Sequence, residues 1–219
     1  GAMPQSGATL RVSTGSSALS GTLSVSLQTN IDVGGTQLSV SNLAEGTSAA
    51  MNKLGSGLLT LTGANASFAS AAAGINVVAG TVELTGSASL GNGTYAGQIS
   101  NSGTFHFDTT ASQSISGNIT GTGTLIKDQA NTLALSGNFT GTGTFSINAG
   151  TVTYNSALGG YAVSNPNITI NSGASLLVSG ASGISSSGTI VNNGSLVYSG
   201  TLVTTTSAVI SGNGSLTKD

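Results

Sequence analysis

The 219-residue chain contains no cysteine and no tryptophan. Disulfide staples and thiol chemistry are therefore excluded. Charge is almost as scarce: Asp, Glu, Lys and Arg make up 5% of the residues, against about 25% in an average protein. Four basic residues in the whole chain cannot supply the phosphate-neutralising patch that nucleic acid demands. No apolar run approaches the ~18 residues of a membrane-spanning helix. Helix signals are weak, because Val, Ile, Thr and Gly outnumber Glu, Lys and Arg. The Ala-rich stretches 48–51 and 69–73 are expected to form a helical turn or a loop.

What is present is a small neutral polar set. There are 36 Ser, 30 Thr, 18 Asn and 34 Gly, with 37% hydrophobic residues. That hydrophobic share is enough for a core, and the net charge of −2 is not that of a disordered chain. The mix suits short strands joined by tight turns, with Ser, Thr and Asn satisfying turn backbone and Gly supplying positive φ. Gly1-Ala2-Met3 reads as an expression scar. Residues 4–219 read as one solenoid cut from a longer chain.

Internal repeats decide the fold class. Residues 117–128 read GNITGTGTLIKD and residues 137–148 read GNFTGTGTFSIN, at an offset of 20. A second pattern places a Gly before a small hydroxyl residue and a large apolar one: Gly80-Thr81-Val82, Gly103-Thr104-Phe105, Gly123-Thr124-Leu125, Gly143-Thr144-Phe145, Gly194-Ser195-Leu196 and Gly214-Ser215-Leu216. After each Gly the chain alternates. Val82 and Leu84 flank Glu83, and Phe105 and Phe107 flank His106. This is the period-2 signature of a strand with one buried face. Hairpins would place turns every 8–12 residues or so. A spacing of roughly 20–23 residues instead suits one full coil of a parallel β-helix. The expectation is an all-β, right-handed parallel β-helix of about ten coils, about 50 Å long at the usual strand spacing.

Residues 121–153 (GTGTLIKDQANTLALSGNFTGTGTFSINAGTVT) resemble the autotransporter-associated β-strand repeat. The matching positions include Gly121, Gly123, Leu125, Lys127, Thr132, Leu133, Leu135, Ser136, Gly137, Asn148, Ala149, Gly150, Thr151 and Val152. Residues 53–85 form a looser copy, and Leu216-Thr217-Lys218 begins a third. The resemblance implies a passenger of a type V secretion system. Such passengers cross the outer membrane unfolded through a C-terminal β-barrel and fold outside. It implies a bacterial cell-surface or secreted location, with the parent protein anchored by a barrel not contained in this sequence.

The chemical inventory is six carboxylates, four basic residues and one histidine, too sparse for a catalytic cluster. The chain is expected not to be an enzyme and to need no cofactor. One constellation stands out. Glu83 and His106 both lie three residues after the repeat Gly, so they stack in adjacent coils and point outward, with Asp108 on the same face. The economical reading is a solvated charge pair worth ~0–1 kcal/mol; the alternative is a metal or pH-sensitive site, and no metal is assigned. Lys53, Lys127 and Lys218 recur with the motif and read as turn residues. Seven Asn-x-Ser/Thr triplets are close to chance in so Ser/Thr-rich a chain and carry no glycosylation argument.

Three functions follow as expectations. The first is an adhesin or structural rod that binds its own kind through neutral Ser/Thr/Asn flanks, repeated coil by coil. The second is a carbohydrate- or host-matrix-binding module, with Tyr95 and Tyr161 as the ligand-facing aromatics, or a spacer that aids passenger export and folding. The third is ice binding through Thr122-x-Thr124 and Thr142-x-Thr144.

Overall fold

The alternation after each repeat Gly produces strands, and the 20–23-residue offset stacks them. In the computed structural model, which describes residues 8–46, 50–156, 167–180, 188–199 and 208–219, Thr104–Thr109 lies between Thr81–Gly86 and Thr124–Lys127. All three run parallel, with Phe105 opposite Val82 on one side and Leu125 on the other. Every strand pair in the described residues is of this kind. Three parallel sheets of six, ten and seven strands result, and the fold is a parallel β-helix.

The first sheet begins at Thr9–Val12 and ends at Ile119–Thr120. The third begins only at Thr94–Tyr95 and runs to Ser215–Lys218. The second alone spans the stack, from Ser16–Val25 to Val209–Ser211. Among the described residues the one helical element is the single turn Gly91–Gly93, where the third sheet starts.

Alternate side chains point inward and stack in columns. Val82, Leu84, Phe105, Phe107, Leu125, Phe145 and Ile147 fill the interior behind the second sheet, and Leu133, Val152, Leu176 and Leu196 fill it behind the third. Each contributes roughly 1.5–3 kcal/mol by leaving water. Aromatics add contact in the interior: Phe105 and Phe107 rings lie 4.9 Å apart, and Phe139 meets Phe145 edge-on at 5.6 Å.

Of the repeat glycines, Gly80 has the expected positive φ, at 70°, and the other five serve a different purpose. Gly103, Gly123 and Gly143 stand in one column at the entrance to the second sheet, and none of them is left-handed. A Cβ on Gly123 would collide with the carbonyl oxygen of Gly103 and the side chain of Asn101, and one on Gly143 with the carbonyl of Gly123. Close stacking of backbone on backbone requires the missing Cβ. Gly194 and Gly214 obey the same rule, but at the entrance to the third sheet. The motif therefore marks a kind of corner, not one sheet. Asn101 and Asn192 complete it, each donating from Nδ2 to a carbonyl of the next coil, Thr124 at 2.7 Å and Ser215 at 2.8 Å.

Lys53 and Lys127 are not exposed turn residues: both point inward and are buried. Lys53 Nζ donates to the carbonyls of Leu54 (2.9 Å), Gly55 (2.8 Å) and Ala79 (3.1 Å). Lys127 Nζ repeats this with Asp128, Gln129 (2.7 Å) and Ala149 (3.3 Å). A buried cation is tolerated only when so partnered. Burial pulls the Lys53 ammonium down to about 8, against an opposing pull from the Asp32 carboxylate. Lys218 lies exposed and donates to the Asp219 carbonyl.

Ala69–Ala73 forms a turn and not a helix, while Ala50 and Met51 open the strand Ala50–Leu54; residues 48 and 49 lie outside the described residues. The turn is pinned to the stack by Glu45, whose carboxylate accepts from Ser70 N at 3.0 Å and from the Ser70 hydroxyl. Burial pushes this carboxyl up, but the Ser70 and Ala69 hydrogen bonds outweigh it and hold it below its ordinary range.

Candidate functional site

The outward face of the second sheet carries the predicted constellation. Glu83 in Thr81–Gly86 and His106 in Thr104–Thr109 are directly paired in register, and the His106 Nδ1 lies 3.0 Å from Glu83 Oε1. The reason is the shared phase: both stand between two inward apolar residues, so both must face out. The other ring nitrogen, Nε2, lies 2.7 Å from Asp128 Oδ2. Asp128 directly follows the strand Thr124–Lys127, one coil further along. Its other oxygen accepts from Asn148 Nδ2 at 2.7 Å, and Asn148 in turn accepts from Asn171 Nδ2 at 2.6 Å. A continuous chain of side chains, Glu83–His106–Asp128–Asn148–Asn171, thus crosses five successive coils. Asp108 shares the face and accepts from Gln129 Nε2 at 2.6 Å. The side chains of Glu83, His106 and Asp128 are 20%, 19% and 30% exposed, so the cluster is half-sheltered rather than freely solvated.

Chemically the histidine is the pivot. A protonated ring donates to both flanking carboxylates. A neutral ring donates from one nitrogen only and offers a lone pair at the other. Asp128 escaped sequence reasoning because it lies past the strand end and reaches the ring diagonally.

Tyr95 is buried, not ligand-facing. Its hydroxyl donates to the Ala73 carbonyl and its ring stacks on Phe68 at 6.0 Å. Burial, with the Glu45 charge, pushes its phenol far up. Tyr95 stands at the corner one coil beyond the Ala-rich turn, and its hydroxyl reaches back across the stack to it. Tyr161 lies outside the described residues. Tyr154 also points inward and is buried. Among the described residues the aromatics do not form an exposed platform.

Neutral ladders flank the charged cluster. Thr81, Thr104, Thr124 and Thr144 occupy one outward column of the second sheet in four consecutive coils, and Thr144 Oγ1 donates to Thr124 Oγ1 at 3.1 Å. Asn167 and Thr189 continue it, with Thr189 Oγ1 bonded to Asn167 Oδ1 at 3.0 Å. On the first sheet Asn76, Asn52 and Asn30 form an amide ladder through bonds of 2.7 and 2.9 Å. The signal in the sequence was the recurrence of Asn at offsets of 22 and 24. The predicted Thr122-x-Thr124 and Thr142-x-Thr144 pairs stack in two adjacent coils, with Thr122 and Thr142 exposed; the two preceding coils carry Ala79 and Ser102 two residues before Thr81 and Thr104, so the double threonine column does not extend to them.

Comparisons with known protein families, curated proteins and solved structures find no significant match.

Proposed function

We propose that this chain is part of a surface-exposed or secreted bacterial passenger of the autotransporter type, and that it acts as an adhesive rod that associates with its own kind. The observation that carries this reading is the outward face of the second sheet, where Thr and Asn columns repeat coil after coil. Partly satisfied hydroxyls and amides at a fixed spacing can pair with an identical flank. Low charge removes the repulsion that would otherwise oppose two copies meeting. Each contact is weak, but a row of coils presents it many times over, and multivalency raises avidity without strengthening any one contact. The inward side supports a load-bearing role, since each coil is hydrogen-bonded to the next along its strands. The reading contains no catalytic step.

The test is display of the chain on a non-aggregating bacterial host, fused to an outer-membrane barrel. Adhesive pairing predicts clumping of displaying cells, reduced by Thr104→Lys with Thr124→Lys. Cells that stay dispersed and non-adherent overturn it.

A further inference from the structure

We propose that His106, Asp108 and Asp128 form a binding site for a divalent transition-metal ion of the zinc class. One ligand atom from each of the three lies within 4.8 Å of the other two. They come from two adjacent coils of the second sheet, so the site exists only when the solenoid is stacked.

Three observations distinguish this set from a chance gathering of surface charges. The first is the ring. Glu83 Oε1 lies 3.0 Å from Nδ1, so an N–H at that nitrogen is held by the carboxylate and Nε2 is turned toward Asp128. A carboxylate behind a histidine is the usual way a metal-binding imidazole is oriented and made more basic. The second is that each aspartate is likewise held from behind. Gln129 Nε2 donates to Asp108 Oδ1 at 2.6 Å, and Asn148 Nδ2 donates to Asp128 Oδ1 at 2.7 Å. Each carboxylate therefore keeps an oxygen free of these amides. The third is charge. Lys127 points inward and donates its ammonium to backbone carbonyls, so the Asp128 carboxylate feels its charge without forming an ion pair with it. Among the described residues no Lys or Arg forms an ion pair with Asp108 or Asp128.

One imidazole nitrogen and two carboxylate oxygens suit zinc, nickel or cobalt, and are too few and too mixed for calcium. Ligand atoms around a tetrahedral zinc stand roughly 3.3 Å apart, so the 2.7 Å His106–Asp128 contact must open slightly. The nitrogen that takes the ion is Nε2 without a proton, and the N–H that remains is Nδ1, on the Glu83 side. The ion ties adjacent coils together, so it also raises the thermal midpoint.

The experiment is zinc titration of the chelator-treated chain, by calorimetry and by NMR. His106 is the only histidine in the chain, so its ring signals report on the site without ambiguity. The expected result is one zinc per chain, a shift of the ring signals at the same stoichiometry, and a higher melting temperature. His106→Ala abolishes binding. Glu83→Gln, a positioning variant, weakens it roughly tenfold to a hundredfold without abolishing it, and Lys218→Ala, in the third sheet, leaves it unchanged. Absence of heat together with unmoved ring signals at millimolar zinc overturns the proposal. So does zinc binding that leaves the ring signals in place, a readout that holds even if a variant fails to fold.

Discussion

The corners at Lys53 and Lys127 do one job with different sequences and in different sheets. Lys53 belongs to Ala50–Leu54 of the first sheet and Lys127 to Thr124–Lys127 of the second. In each, the chain turns through a left-handed residue two positions after the lysine, Gly55 at φ 72° or Gln129 at φ 66°. Such a turn leaves carbonyls facing the interior with no strand partner, and each unpaired one is costly. The ammonium gathers two of them and a third from the coil above. What recurs is thus a buried cap for a corner, and the lysine follows the corner wherever it occurs.

The largest break in this equivalence is expected from removing the cap. Lys53→Ala and Lys127→Ala each strand three carbonyls, at a cost of about 3 kcal/mol. Urea denaturation measures it, and Lys218→Ala, at an exposed position, should change the midpoint little. Equal, small effects at all three lysines would sink the cap.

Exchanging the turn residues sharpens the comparison. A Cβ on Gly55 would stand 2.5 Å from the Val33 carbonyl oxygen, in a left-handed backbone. Gly55→Ala should therefore cost about 1–3 kcal/mol. At the other corner Gln129 already carries that backbone penalty, and Gln129→Gly should stabilise by up to about 1 kcal/mol. That gain is reduced by the lost bond to Asp108, which Gln129→Asn would help separate. Destabilisation at both corners alike would contradict the assignment of strain.

The smallest effect is expected from pH. The Lys53 ammonium titrates in the folded chain at about 8 and ordinarily at 10.5. Below the lower value it is charged in both folded and unfolded chains. Between the two, the folded chain binds fewer protons, so stability rises with pH. The neutral amine gives up one donated bond, which tempers the gain. Melting curves of the parent chain against Lys53→Met across this window should diverge in favour of the parent as pH rises; parallel curves would contradict the shift.

The architecture was legible because its cause is periodic. Alternation around Glu83 and His106 showed which side chains turn inward, and the 20-residue offset between residues 117–128 and 137–148 showed which ones stack. The facing of Glu83 and His106 followed from those two facts alone. Other features depend on where backbone carbonyls point, and no side-chain pattern encodes that. Lysine is almost never buried, so only the left-handed corner explains Lys53 and Lys127. Tyr95 was misplaced because it turns inward at a corner stacked on the Ala69–Ala73 turn of the preceding coil, which the repeat motif does not describe. Gly194 and Gly214 looked continuous with Gly143 because the same steric rule operates at two different corners.

The central functional claim is that the outward ladders join copies of this chain side by side. Sedimentation velocity over about a hundredfold range of concentration tests it most directly, since avidity must build with concentration. The comparison chain carries Thr104→Lys and Thr124→Lys, and a further pair adds a charged coil at each end to block end-to-end strand pairing. The account predicts reversible association that survives end-blocking, changes little with salt, and is lost in the Lys variant. A monomer at every concentration, or association that end-blocking abolishes and the Lys substitutions leave intact, would contradict it.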